Sequence, residues 1–66
     1  MSIEVLSAAL ASARDSHAAY VTLARNSTGA AAEQAWHDAG TAHLIASNLC
    51  VLLATAALER GTDETA

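Results

Sequence analysis

Twenty consecutive residues, Ala39 to Leu58, contain no aspartate, glutamate, lysine or arginine. A helix of about 20 residues spans the hydrocarbon core of a bilayer, so a membrane span is the first interpretation to weigh. Against it, His43 and Asn48 lie in the segment, where such side chains are costly, and no cluster of basic residues flanks either end. The sequence therefore favours a helix buried against other helices. A small membrane-associated protein that uses residues 39–58 is the alternative.

The rest of the chain also favours helices. No segment alternates apolar and polar residues with the period of two that a half-buried strand requires, and the chain contains no proline. A first helix is predicted at about residues 3–26, with Ser2 as its N-cap. The turn is predicted at 26–29, where Asn, Ser, Thr and Gly are adjacent. A second helix is predicted at about 30–60. Gly61 is expected to end it and to begin an acidic tail at 61–66.

Two helices joined by so short a turn must lie antiparallel, so the sequence predicts a single all-α domain, an antiparallel two-helix hairpin. In the first helix, a seam repeats in alternating steps of three and four residues. The seam residues are Ile3, Leu6, Leu10, Ala13, His17, Tyr20 and Ala24. A turn centred near Thr28 places Tyr20 opposite Trp36. The same register places Ala13 opposite His43, with an expected error of about one helical turn.

Gly40 is the weak point of the second helix, because an interior glycine costs roughly 1 kcal/mol relative to alanine. One interpretation is a glycine tolerated where the first helix comes close. The other is a break that gives three helices. The hairpin is preferred, with Ser27 or Thr28 expected to cap its second helix.

Apolar residues surround the second helix almost completely, which is typical of a buried helix. A first stripe, expected to face the first helix, is Ala39, His43, Ala46, Cys50, Leu53 and Ala57. A second stripe is Ala42, Ile45, Leu49, Leu52 and Ala56, and a third is Leu44, Val51 and Leu58. A lone hairpin leaves half of each helix in water, so we expect it to dimerise into a four-helix bundle. The residues expected to contact a second copy or another protein are Leu6, Leu10, Ile45, Leu49, Leu52, Leu44, Val51 and Leu58.

Charge and cysteine content restrict partners and compartment. Three basic residues against seven acidic ones give a formal net charge of −4, which argues against nucleic acid, whose phosphates require clustered Lys and Arg. Cys50 is the single cysteine, so no internal disulfide forms and a reducing compartment is expected. Glu4 stands where an export signal would carry a basic residue. We therefore expect a cytoplasmic protein.

Candidate catalytic and metal-binding residues do not form a site in the sequence. Asp15, Ser16 and His17 are the residue types of a hydrolytic triad, but consecutive helical residues point about 100° apart. His37 and His43 are six residues apart and diverge on a helix, although a symmetric dimer could bring two His17 or two His43 side chains together across its axis. We expect no catalytic, metal or cofactor site. The predicted function is a non-enzymatic interaction protein (an adaptor, inhibitor or accessory factor) that binds itself and another protein.

The layout resembles that of small RNA-binding plasmid regulators, in which a two-helix hairpin forms an antiparallel dimeric bundle. Chain length, central turn and acidic tail all agree with it. The resemblance is architectural and implies the fold alone. The basic and aromatic face that would contact RNA is missing, since Tyr20 and Trp36 are the only aromatic residues.

Overall fold

The protein is two long helices packed side by side. The computed structural model describes the backbone of residues 2–65 and the side chains of residues 2–61. Helix α1 spans Ile3–Arg25 and helix α2 spans Gly29–Thr65, and the two contact each other extensively. The principal extents are 56 × 14 × 14 Å. The predicted all-α helical hairpin is confirmed.

Helix α1 begins as its sequence predicts. Ser2 is extended, with φ −77° and ψ 153°. Its hydroxyl oxygen accepts a hydrogen bond of 3.1 Å from the Val5 amide, which satisfies one of the free first-turn donors. Glu4 lies in the same turn, where its negative charge favours the positive end of the helix dipole.

The turn closes with polar side chains that complete the end of α1. The Asn26 side-chain amide donates to the Thr22 carbonyl at 2.9 Å. The Ser27 hydroxyl, predicted to cap α2, instead donates to the Leu23 carbonyl at 2.7 Å. Asn26 keeps a negative φ of −99°, and the left-handed position is Gly29, with φ +61°. Only glycine adopts such angles without steric cost from a Cβ.

Helix α2 runs without a break through Gly40, so the three-helix alternative is excluded. A Cβ added at Gly40 would meet nothing within 4 Å, so the expected close approach of α1 there is absent. The helix ends at Thr65 and not near residue 60. Gly61 does not adopt a positive φ, and a glycine costs a helix only about 1 kcal/mol. The last residue of the predicted tail, Ala66, lies outside the described residues.

The core of the hairpin is narrow and consists mostly of alanine. Among the described side chains, the buried ones are Leu6, Ala13 and Ala24 of α1 and Ala35, Ala39 and Ala42 of α2. On α1 these positions belong to the predicted seam. Tyr20, also predicted there, is 37% exposed at the edge of the seam, while Val21 is half-buried.

Helix α2 faces α1 with a different side from the one predicted. Ala39 of the first stripe and Ala42 of the second are both buried, whereas His43 and Cys50 of the first stripe are exposed. The contact therefore runs between the two stripes. Small alanine side chains let the two backbones approach closely along this line, which leaves larger neighbours such as Ile45 at its edges.

The register of the two helices lies within one helical turn of the predicted one. The His17 and His43 rings are adjacent, with centroids 5.6 Å apart, whereas the sequence placed Ala13 opposite His43. This contact lies within the expected error of one helical turn. Tyr20 and Trp36, predicted to face each other, form no ring contact in the described part of the chain.

Candidate functional site

Large apolar side chains on the surface are the most prominent feature of the hairpin. Nine of those described are at least 37% exposed. They are Val5, Tyr20, Leu23, Trp36, Leu44, Ile45, Val51, Leu52 and Leu58. By contrast, Leu6 is the single large residue among the buried side chains described. Single exposed apolar residues are ordinary on protein surfaces, but a continuous set marks an interaction site.

The total surface of the chain is large for its mass. The chain exposes 4700 Å², whereas a compact folded protein of 6.7 kDa exposes about 3,900 Å². The excess of about 800 Å² reflects an elongated shape of 56 × 14 × 14 Å that encloses little core.

One edge of the helix–helix contact forms a shallow groove of about 420 Å³, here called the apolar groove. Its lining residues are Ala9, Ser12, Ala13 and Ser16 of α1 and Ala42, Ile45 and Leu49 of α2. Two smaller depressions extend the groove. One shares Ile45 with it and reaches Tyr20. The other is lined by Leu52 and reaches Glu59. The α1 side is lined by small residues, so an incoming side chain can approach closely.

The side of α2 opposite α1 carries a second apolar set, here called the outer stripe. It consists of Leu44, Val51 and Leu58, which are 66%, 65% and 73% exposed. Polar residues accompany it. The Thr41 hydroxyl donates to the His37 carbonyl at 3.2 Å, and the Thr55 hydroxyl donates to the Val51 carbonyl at 3.0 Å. Asn48 is also exposed in this part of the helix.

The eight residues predicted to mediate association have different environments. Leu6 is 3% exposed and belongs to the hairpin's own core, and Leu10 and Leu49 are half-buried. Ile45 and Leu52 are 49% and 50% exposed. The remaining three form the outer stripe. The structure therefore separates them into the internal seam, the apolar groove and the outer stripe.

The other edge of the helix–helix contact holds a cavity of about 200 Å³, here called the histidine cavity. Its lining residues are Arg14, His17, His43, Ala46, Ser47 and Cys50. The two imidazoles come from different helices and are tilted by 47°. Cys50, expected in the core, is exposed and has a free thiol. Residue spacing predicts the register only to within one helical turn, which is too coarse to identify the His17–His43 pair.

Helix α2 also meets the length and hydropathy requirements for a membrane span. The segment Gly29–Gly61 contains an 18-residue window with a mean hydropathy of 1.7, of which 6% is buried inside the hairpin. The core helix of a globular protein would be mostly buried. Here the apolar helix is left largely uncovered by α1.

Within residues 2–61, no group of three or more histidine, cysteine, aspartate or glutamate side chains is placed to hold a metal ion. No protein-family model, curated protein or solved structure matches the chain.

Proposed function

We propose that this chain is a non-enzymatic helical interaction protein that acts through self-association and through binding another protein. The observation that supports the proposal is the uncovered apolar surface of α2, on which five large apolar side chains between residues 44 and 58 are at least 49% exposed. Burial of apolar surface drives most protein association, at about 25 cal/mol per Å² removed from water.

A second copy of the chain fits this surface in size and chemistry. A standard interface takes about 800 Å² from each copy, and the 4700 Å² that one chain exposes includes five large apolar side chains on a single helix between residues 44 and 58. A two-fold arrangement of two hairpins buries the same patch on each copy and gives a four-helix bundle. The chain then acquires the shared core that a single pair of helices lacks.

The apolar groove is the favoured surface for the second copy. Its α2 wall is an uninterrupted set of apolar residues, and its α1 side is formed by alanine and serine. Knobs such as Ile45 and Leu52 of one copy can insert between these small side chains of the other. Leu44, Val51 and Leu58 of the outer stripe do not line the groove or its extensions, so a second copy bound there would not contact the small side chains of α1.

Two double variants test the groove against the outer stripe. Ile45→Ser/Leu52→Ser removes one large apolar side chain from the groove and one from its extension beside Leu6. Leu44→Ser/Val51→Ser is the matched control, because it makes the same kind of change at residues that are even more exposed. Light scattering after size exclusion should give a monomer for the groove variant and a dimer for the control and the unmodified chain. Circular dichroism checks that both variants remain helical. A groove variant that stays fully dimeric would contradict the proposed surface.

The outer stripe remains available for another protein once two hairpins have associated through their grooves. A pull-down from the native host with the unmodified chain and with Leu44→Glu/Val51→Glu tests this second contact. We expect a protein that copurifies with the unmodified chain and is lost with the variant, while light scattering still gives a dimer. A copurifying protein that binds both equally would place the contact elsewhere.

A membrane-associated protein is the alternative, and the hydropathy of Gly29–Gly61 supports it. In that case lipid, and not protein, would cover α2. His43, Ser47 and Asn48 would then lie in a span, where they are unfavourable. Cell fractionation distinguishes the two: the interaction protein is recovered in the supernatant without detergent, and the membrane-associated protein is recovered only with detergent.

A further inference from the structure

We propose that His17 and His43 form a two-histidine site for a divalent late transition-metal ion of the Zn²⁺, Ni²⁺ and Cu²⁺ class, which links α1 to α2. The site lies in the histidine cavity, which shares no lining residue with the apolar groove and its extensions. The inference is therefore independent of self-association through the groove.

The separation of the rings fits shared ligation of one ion. Metal–nitrogen distances of about 2.0–2.1 Å place the centroids of two imidazoles on one ion roughly 5–5.5 Å apart at tetrahedral or slightly wider angles. The observed separation is 5.6 Å. The rings are tilted by 47° rather than stacked face to face. Shared ligation requires that the two side chains rotate until one nitrogen of each ring points at a common ion, and the centroid separation is compatible with that arrangement.

The nitrogen atoms of both rings are available for ligation. No hydrogen bond to either imidazole occurs among the described residues, whereas the hydroxyls of Thr41 and Thr55 bond to backbone carbonyls. His43 is exposed and His17 is half-buried, so an ion can enter from solvent. Neutral imidazole is the commonest protein ligand for such ions.

The surroundings of the two histidines allow an ion whose remaining ligands are water molecules. The cavity of about 200 Å³ has room for the ion and the water molecules that would complete its coordination. The net charge of −4 favours the approach of cations. Arg14 lines the same cavity and opposes a cation, but its side chain is exposed and its charge is screened by water and salt.

Because its two ligands belong to different helices, a bound ion would stabilise the hairpin. An ion that binds only the folded state adds stability that rises with the ratio of its concentration to its dissociation constant. At about ten times the dissociation constant, the midpoint of thermal unfolding should rise by roughly 5–10 °C for a domain of this size. The order of affinity should be Cu²⁺ above Ni²⁺ and Zn²⁺. Mg²⁺, which prefers oxygen ligands, should have no effect.

Thermal unfolding of the full chain with ZnCl₂, NiCl₂ or MgCl₂ tests the site. His17→Gln and His43→Gln should each weaken Zn²⁺ and Ni²⁺ binding at least about tenfold, which reduces the rise in the unfolding midpoint at the same ion concentration to about 3 °C or less. His37→Gln is the matched control, since His37 is an exposed histidine of α2 outside the cavity. It should keep the full effect. Equal loss in all three variants, or an unfolding midpoint of the unmodified chain that Zn²⁺ and Ni²⁺ leave unchanged, would overturn the proposal.

A measurement on the unmodified chain removes any dependence on how the variants fold. In a proton–carbon correlation spectrum, Zn²⁺ should shift the imidazole resonances of His17 and His43 together, with one saturation curve, and leave His37 in place. Shifts of His37 equal to those of the pair, or different saturation curves for His17 and His43, would show independent binding to surface histidines and overturn the proposed shared site.

Discussion

Replacement of Gly29 and of Gly40 by alanine should change stability in opposite directions. A Cβ added at either position would meet nothing within 4 Å, so neither substitution alters packing and the backbone alone decides the outcome. Gly29 has φ +61°, where an L-residue costs roughly 1–2 kcal/mol. Gly40 lies inside α2, where alanine is more favourable than glycine by roughly 0.8–1 kcal/mol. The two variants should therefore differ by about 2–3 kcal/mol.

Thermal unfolding followed by circular dichroism, at one fixed protein concentration, measures this difference. Since about 1 kcal/mol moves the midpoint by roughly 4–8 °C in a domain of this size, Gly40→Ala should melt above the unmodified chain and Gly29→Ala below it. Gly29→Asn should lose less than Gly29→Ala, because asparagine tolerates left-handed angles better. A Gly29→Ala variant as stable as the unmodified chain would refute the left-handed turn. A destabilised Gly40→Ala variant would refute the regular, uncrowded helix at that position.

Other substitutions test the core, the cap and the surface. Leu6→Ala should lower the free energy of unfolding by about 2–4 kcal/mol, because Leu6 is the one large side chain buried in the described core; a loss below about 0.5 kcal/mol in urea titration would contradict its burial. Ser2→Ala should cost about 1 kcal/mol by removing the acceptor for the Val5 amide, and Ser2→Asp, which keeps an acceptor, should restore most of it. Leu44→Ser should change the free energy of unfolding by less than about 0.5 kcal/mol, as expected for a residue that is 66% exposed; a larger loss in the same titration would show that Leu44 is covered in solution.

The local structure of the hairpin could be predicted because short-range signals determine it. Ser2 followed by a seam with steps of three and four specifies where α1 begins and which side it buries. The turn-forming residues 26–29 are the one such cluster between two helical segments. These features depend on neighbours within one turn of helix, so a single sequence contains the information.

The relative position of the helices could be predicted only to within one helical turn, because many registers bury similar alanine surfaces. Ala13, Ala39 and Ala42 are interchangeable in size, so a shift of one turn costs little and composition does not select among registers. The register found in the structure places the His17 ring beside the His43 ring and leaves Cys50 exposed. Gly29, and not Asn26, adopts the left-handed backbone angle, and this helps determine where α2 starts. The histidine pair was therefore not predictable from residue spacing, whereas the exposed apolar residues of the outer stripe were.

Sedimentation equilibrium of the unmodified chain in detergent-free buffer, over a wide dilution series, tests the central claim most directly. The claim is that this hairpin leaves nine large apolar side chains exposed, among those described, and covers part of that surface with a second copy. The account predicts a mass of twice the 6.7 kDa of one chain at high concentration, with reversible dissociation on dilution. A folded chain that sediments as a single copy at every concentration would contradict it.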